Sequence, residues 1–332
     1  MRANRNNFFL AHYDKHYSAL QELKKFKSIR ELLSENLGLP NNFYFSHNTT
    51  SSLICILRVL LCNSTNDFYL AFSNLEHPTI RKIIESLWSK EKLICLNLYP
   101  YLMKGDFDSI ENEISVKTQN KRCIHIISHV LWNIGAKLNI ESISAKIKKK
   151  NPKDLIIIDG AQAVGNLPNP IFNLEKYNHI DFYIGCTHKW IGTENTLGFV
   201  SIHPKYIKST LYLQIMLSDL FSSYAGPISQ HEEFDNSTYN LLYLLAITKE
   251  LNQVFIKHLN SSKFNISTIN TQKKISSIPV CSERLTSYSA VYGEYDEIIK
   301  FCRKNSLNNT FIAFDENLPE NNFWVRLGKY KS

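Results

Sequence analysis

Leu155-Ile156-Ile157-Ile158-Asp159-Gly160-Ala161-Gln162-Ala163-Val164-Gly165, followed by Asp181-Phe182-Tyr183-Ile184-Gly185 and Thr187-His188-Lys189-Trp190, decides the architecture of this 332-residue chain. Both apolar runs are short and bounded by glycine or polar residues, the pattern of strands buried on both faces. One stops at Asp159 and the other just before His188 and Lys189. Open α/β sheets place their ligands at the carboxyl ends of strands. A carboxylate, an amide, an imidazole and an amine arriving at one edge suit an anionic cofactor with a basic ring nitrogen.

Working outward, strands alternate with helices over the first two thirds of the chain. Strands are predicted at Phe43–Phe45, Asp67–Phe72, Leu93–Leu98, Cys123–Ile127 and Gly198–Ile202. Helices are predicted from Tyr17 to Leu37, Ser52 to Leu61, Thr79 to Leu87 and Ile140 to Lys150, with a shorter one from Phe107 to Ile114. This alternation indicates a mostly parallel sheet, of the seven-stranded type, covered by helices on both faces. After Ile202 the pattern weakens to a helix at Tyr239–Phe255, strands at Tyr288–Val291, Thr310–Phe314 and Phe323–Leu327, and a helix at Tyr295–Lys304. The expected organisation is α/β: a large domain over 1–235 with a short amino-terminal arm, then a smaller α+β domain over 236–332, truncated at its end. The switch itself is read between Ser209 and Ser262.

Composition excludes several classes. Hydrophobic content of 44% and charged content of 20% are those of a globular protein with a substantial core. The longest apolar run, Leu53 to Cys62, is broken by Arg58 and falls short of the ~20 residues of a membrane span. Phe8-Phe9-Leu10-Ala11 is too short for a signal-peptide core, so no membrane and a cytoplasmic location are expected. The net charge of +8 collects at helix ends such as Lys146-Ile147-Lys148-Lys149-Lys150. Cations there favour the dipole, and without a nucleic-acid fold signature they predict no nucleic-acid partner. Seven cysteines form no CxxC pair and most sit in apolar segments, which predicts buried, reduced thiols. Cys123, His125 and His129 have no second ligand cluster beside them, and no metal is expected.

Four polar positions require one explanation. An Asp at a strand end can pair with a pyridinium, and a Gln on the next turn can meet a ring hydroxyl. A Lys within reach can form a Schiff base with an aldehyde. The hydroxyl-rich stretch Ser46-His47-Asn48-Thr49-Thr50-Ser51-Ser52, between a strand and a helix, can hold a phosphate, or can simply cap that helix. Together these are the demands of pyridoxal 5'-phosphate, whose ring stabilises a carbanion next to nitrogen.

The same runs, with Ser128-His129-Val130-Leu131-Trp132-Asn133-Ile134-Gly135 as an HVxxxxG turn, resemble the class V aminotransferase family of fold-type I pyridoxal-phosphate enzymes. The Leu-Trp form of the turn is similar to the epimerase and lyase branch. The resemblance implies Lys189 as the Schiff-base lysine and proton shuttle, Asp159 on the ring nitrogen, Gln162 on the ring hydroxyl and His188 on the phosphate. It implies Thr49 and the Thr50 amide on the phosphate, and His77 stacked on the ring. It also implies Thr238 reaching the phosphate of a partner subunit in a homodimer, and Arg326 gripping the substrate carboxylate. Trp132 stands where the family often has asparagine and makes the substrate side of the ring more apolar. Cys186 replaces the usual phosphate-binding serine, and the usual terminal helix is missing.

Singly, each residue has a plainer reading: Asp159 as a cap, Gln162 and Lys189 as solvated surface, His77 as a turn residue, Arg326 as a structural pair. Jointly, the cofactor reading prevails for Asp159, Gln162, His188 and Lys189. The expected activity is amino-acid chemistry by transamination, β-elimination with C–S lysis, or epimerisation, in specialised metabolism. An alternative is a catalytically silent binding or scaffold protein. An ordinary cysteine desulfurase is disfavoured, because the stretch Asn308–Asn317 has no cysteine and Cys302 lies in a helical segment.

Overall fold

A computed structural model describes residues 28–36, 43–63, 68–104, 106–133, 135–167, 178–203, 246–251, 253, 276–277, 288–304, 312–314 and 322–328. The elements are α1 (28–36), β1 (Phe43–Ser46), α2 (Thr49–Asn63), β2 (Tyr69–Ser73), α3 (Pro78–Leu87), β3 (Leu93–Leu96), α4 (Tyr99–Lys104), α5 (Phe107–Lys117), β4 (Cys123–Ser128), α6 (Ile140–Lys150), β5 (Leu155–Asp159), β6 (Phe182–Cys186) and β7 (Gly198–Ile202). A helical stretch at 246–251 follows, then β8 (Ser276–Ser277), β9 (Tyr288–Glu294), α7 (Tyr295–Lys304), β10 (Ile312–Phe314) and β11 (Asn322–Gly328).

The first seven strands form one sheet in the order β1-β7-β6-β5-β4-β2-β3. All run parallel except β7, which is antiparallel to both β1 and β6. The mostly parallel seven-stranded sheet read from the sequence is therefore present. Strand alternation sorts its side chains onto two faces. Cys123, Ile127, Ile156, Ile158 and Tyr183 join one core with α1, α4, α5 and α6. Ile124, Ile126, Ile157, Phe182 and Ile184 join the other with α2 and α3. The second sheet is antiparallel, in the order β10-β11-β9-β8, with α7 against β9 and β11. The expected boundary at 235/236 lies outside the described residues.

Local chemistry sets the helix starts. Asn48 Oδ1 accepts the Ser51 amide at 2.9 Å, while Ser51 Oγ accepts the Asn48 amide at 3.1 Å, a reciprocal cap like a capping box. Helix α2 therefore begins at Thr49, three residues earlier than the pattern suggests, and neither threonine is its cap. Pro78 opens α3, with His77 Nδ1 accepting the Thr79 amide at 3.2 Å. Asp106 and Asn139 cap α5 and α6 in the same manner.

The amino edge of the sheet is held by a network of polar groups in which His125 Nδ1 alone has no partner among the described residues. Lys148 Nζ donates to Asp181 Oδ2 at 2.6 Å and also to the Asp154 carbonyl, and Asp181 Oδ2 accepts the Ile156 amide at 2.8 Å. Asp154 accepts the Cys123 amide at 2.9 Å and Asn151 Nδ2 at 2.7 Å, and pairs with His125 Nε2 at 3.0 Å. Cys123, His125 and Asp154 bring three metal-capable atoms within 4.8 Å of one another, yet the carboxylate is already saturated by these donors. A cavity of about 290 Å³ opens here between α5 and α6. Its lining cations are engaged too, Lys146 with Glu111 and Lys150 with the Ser115 carbonyl. Among the described residues no helix is long and apolar enough to cross a membrane.

One thiol departs from expectation. Cys55, Cys123, Cys186 and Cys302 are buried thiols, but Cys95 is exposed. It lies on edge strand β3, where alternate side chains face solvent.

Candidate active site

Polar residues gather at the carboxyl ends of β1, β2, β4, β5 and β6. Ser128 and Asp159 are register partners at the ends of β4 and β5. Asp159 is buried, and its Oδ1 accepts the Ala161 amide at 2.8 Å. Its other oxygen accepts no hydrogen bond from any described residue. Burial pushes its carboxyl pKa up, an effect opposed by the Lys189 ammonium and then by the Ala161 amide. The plain capping role thus occupies one oxygen and leaves the other without a donor among the described residues.

The turn after Asp159 is possible because of two glycines. A methyl group at Gly160 would collide with the ring of Tyr183, which is fully buried beneath it. Gly165 has a φ of +78°, and a Cβ there would lie 2.7 Å from the Ile191 amide nitrogen. The turn consequently lies flat against the 190–191 backbone. Across that contact Trp190 Nε1 donates to Gln162 Oε1 at 2.7 Å.

Beyond β6, residues 187–193 close on themselves. Gly192 N donates to the Thr187 carbonyl at 3.0 Å, and the Thr187 and Thr193 hydroxyls lie 2.7 Å apart. Asn195 Nδ2 then donates to Glu250 at 2.7 Å, tying this loop to the helical stretch at 246–251. Lys189 stands exposed on the closed loop. His188 Nδ1 is buried with no hydrogen-bond partner among the described residues, and burial followed by the Lys189 charge lowers its pKa. Thr49 Oγ1 is likewise buried without a partner of hydrogen-bond geometry. It sits beside Cys186, whose thiol pKa burial raises while Lys189 and then the Thr49 hydroxyl pull it down.

His77 meets Trp132 edge-on, with ring centroids 5.0 Å apart. Next to it lies a group the sequence reading passed over. Glu76 is 3% exposed and accepts the Ser128 amide at 3.2 Å and the Ser128 hydroxyl at 2.5 Å. Burial is the main reason its pKa rises to about 8, with Asp159 adding to the rise and the Ser128 contacts opposing it. An acid directly before His77-Pro78 was the one available signal. His129, behind the turn, donates to or accepts from the Tyr183 hydroxyl at 3.0 Å, and burial lowers its pKa to about 3.

The fold thus brings Thr49, Thr50, His77, Trp132, Asp159, Gln162, His188 and Lys189 to one edge of the sheet. Thr238 lies outside the described residues. Arg326 is placed only by its backbone, on β11 opposite Ala290.

This sheet order, with one antiparallel strand and this donor set at the carboxyl edge, defines the fold-type I class of pyridoxal-phosphate proteins. The pattern described as Aminotransferase class-V matches residues 6–274, and the chain belongs to that family. The putative cysteine desulfurase PbSufS of Plasmodium berghei (strain Anka) is 28% identical over 207 residues, covering 59% of this chain and 37% of that one. Cysteine desulfurase SufS of Plasmodium falciparum (isolate 3D7) is 27% identical over 251 residues, covering 71% and 44%. The chain thus spans less than half the length of these curated relatives. Among solved structures, the cystine C-S lyase C-DES, in complex with its reaction product cysteine persulfide, is similar with a TM-score of 0.67 at 15% identity, over 92% of this chain and 82% of that one. Sphingomonas wittichii serine palmitoyltransferase has a TM-score of 0.60 at 10% identity, over 92% and 71%. At such identities the likeness is one of fold.

The family's cofactor, pyridoxal phosphate, needs a carboxylate, a ring-oxygen donor, an amine and phosphate donors. The chain offers each without breaking an existing bond: the second Asp159 oxygen, the Gln162 amino group, Lys189, and the two orphaned atoms Thr49 Oγ1 and His188 Nδ1. The residues fit the group.

Proposed function

We propose that the chain is a pyridoxal-phosphate-dependent enzyme that removes the α-proton of an amino acid through Lys189, leading to transamination, β-elimination with C–S lysis, or epimerisation. The observation that carries this reading is the half-satisfied buried carboxylate of Asp159 within the field of the Lys189 ammonium. When bound, the cofactor supplies an electron sink for a carbanion at the substrate α-carbon. Asp159 holds a proton on the ring nitrogen with its free oxygen. Gln162 donates to the ring oxygen. Thr49 Oγ1, the Thr50 amide at the start of α2 and His188 hold the phosphate, where the helix dipole favours an anion. Lys189 would hold the cofactor through its aldehyde and would move the proton at the substrate α-carbon. His77 covers one face of the ring, kept in place by its cap on α3 and its edge contact with Trp132. Trp132 and Arg326 are assigned to the substrate, and Thr238 to the phosphate site of a second copy in a homodimer.

The curated relatives carry cysteine desulfurase names, which favours carbon–sulfur bond cleavage among the three outcomes. Persulfide transfer of the ordinary kind remains disfavoured. Asn308–Asn317 contains no cysteine, and Cys302 is buried on α7. The test is titration of the cofactor-loaded protein with single amino acids, followed by mass identification of products. Keto-acid or ammonia release that disappears in Lys189→Ala supports the reading. Cofactor retention with no product across a broad amino-acid panel supports a silent scaffold instead.

A further inference from the structure

Gln162 contains two chemically opposite ends, and their placement is ordinarily a matter of choice because amide oxygen and nitrogen scatter alike. Here the chemistry removes the choice. The indole N–H of Trp190 is donor-only, so the Gln162 atom 2.7 Å from it is the oxygen. The amino group is then directed away from the indole, and it donates to no described residue. Gln162 is 8% exposed and lies on the turn that follows Asp159 at the end of β5. The tight approach at Gly165, with its positive φ, keeps the turn carrying Gln162 against Trp190, the residue that follows Lys189.

We propose that Trp190 is a positioning residue: by occupying Gln162 Oε1 it holds the carboxamide as a pure donor toward the cofactor's ring oxygen. This rests on the assignment of Gln162 to that oxygen. A donor favours the ring oxygen in its unprotonated form; a carboxamide free to rotate would present an acceptor there part of the time and favour the protonated form. Trp190 therefore influences cofactor protonation without touching the cofactor.

The test is a double-mutant cycle on the full chain with Trp190→Phe, Gln162→Ala and both together. Two quantities are read: the pyridoxal-phosphate dissociation constant of the apoprotein, and the pH titration of the bound cofactor's visible absorbance. Thermal midpoints of the apoproteins check folding. Trp190→Phe is expected to weaken cofactor binding about three- to tenfold, the scale of one hydrogen bond. It should also move the absorbance titration toward the protonated ring oxygen. The double variant should be no worse than Gln162→Ala alone. Gln162→Glu, which keeps the contact with Trp190 but presents an acceptor, should bind cofactor more weakly than Gln162→Ala. Effects of Trp190→Phe that add in full to those of Gln162→Ala would overturn the proposal, as would a wild-type titration in Trp190→Phe while Gln162→Ala is altered. A Gln162→Ala protein that binds and titrates like wild type removes the Gln162 assignment itself, and the proposal with it.

Discussion

The two edges of the seven-stranded sheet use the same residue types to opposite ends. At the amino edge, Asp181 Oδ2 accepts from Lys148 and the Ile156 amide, and both Asp154 oxygens are engaged by Asn151, His125 and the Cys123 amide. At the carboxyl edge, Asp159 has one backbone partner, and Thr49 Oγ1 and His188 Nδ1 have none among the described residues. Buried polar groups are costly unless paired, so the filled carboxylates of the amino edge are structural, although His125 Nδ1 there has no partner among the described residues, and the half-filled carboxylate of the other edge has room for one. The contrast separates stability from function within one sheet.

The largest expected effect tests the unsaturated edge. Lys189→Ala should lower turnover by roughly a thousandfold or more, the scale of losing a covalent nucleophile and proton carrier. It should leave the apoprotein's thermal midpoint nearly unchanged, because Lys189 is exposed. Steady-state assays beside thermal unfolding measure both. Loss of stability in step with activity would erase the division between edges.

Lys148→Met should behave in the opposite way. It leaves the Asp181 carboxylate, with no exposed surface, without its lysine, and breaking such a pair costs about 3–5 kcal/mol. Denaturant unfolding reads this. In protein that remains folded, cofactor affinity should hold at the wild-type value, since Lys148 lies at the far edge of the sheet.

Glu76 gives the comparison a pH axis. Its folded pKa, about 8, stands above the ordinary 4.5, so the unfolded chain releases this proton first. Its contribution to stability is full below about 4.5 and is lost as pH rises through about 8. Over that window Glu76→Gln, which can keep both Ser128 contacts, should remove a decline on the order of a few kcal/mol. Unfolding free energies at several pH values provide the check; parallel curves for variant and wild type would refute the buried-acid reading.

What was legible beforehand follows the same line. The strands β4 to β7, α6 and α7 follow from continuous apolar runs and 3.6-residue spacing, because burial on both sheet faces writes itself into the sequence. The candidate residues at strand ends stand out for the same reason: polarity interrupts those runs at Asp159 and again at His188. Helix α4, Tyr99–Lys104, was missed because it is a single short turn or two of aromatic and proline-containing sequence. Strand β8 consists of two serines and exists only by pairing with β9. The choice of Asn48 as cap among five neighbouring polar residues, the burial of Glu76 and the clasp between Trp190 and Gln162 are tertiary facts. No period carries them.

The smallest expected effect is the sharpest test of the contrast. Asp159→Asn keeps the side-chain oxygen that accepts the Ala161 amide and removes a carboxylate whose other oxygen is unpaired and whose ionisation burial already opposes. In the apoprotein this should cost less than about 1 kcal/mol or stabilise slightly, because burial already opposes the charge that the amide removes. The same change at Asp181 faces Lys148 with a neutral amide and should cost about 3 kcal/mol or more. With cofactor present, Asp159→Asn would lose the carboxylate proposed to partner the ring nitrogen, and activity should fall although stability does not. A destabilising Asp159→Asn equal to Asp181→Asn would mean that both edges are structural. Stability retained with activity lost would locate the cost of function in one half-satisfied oxygen.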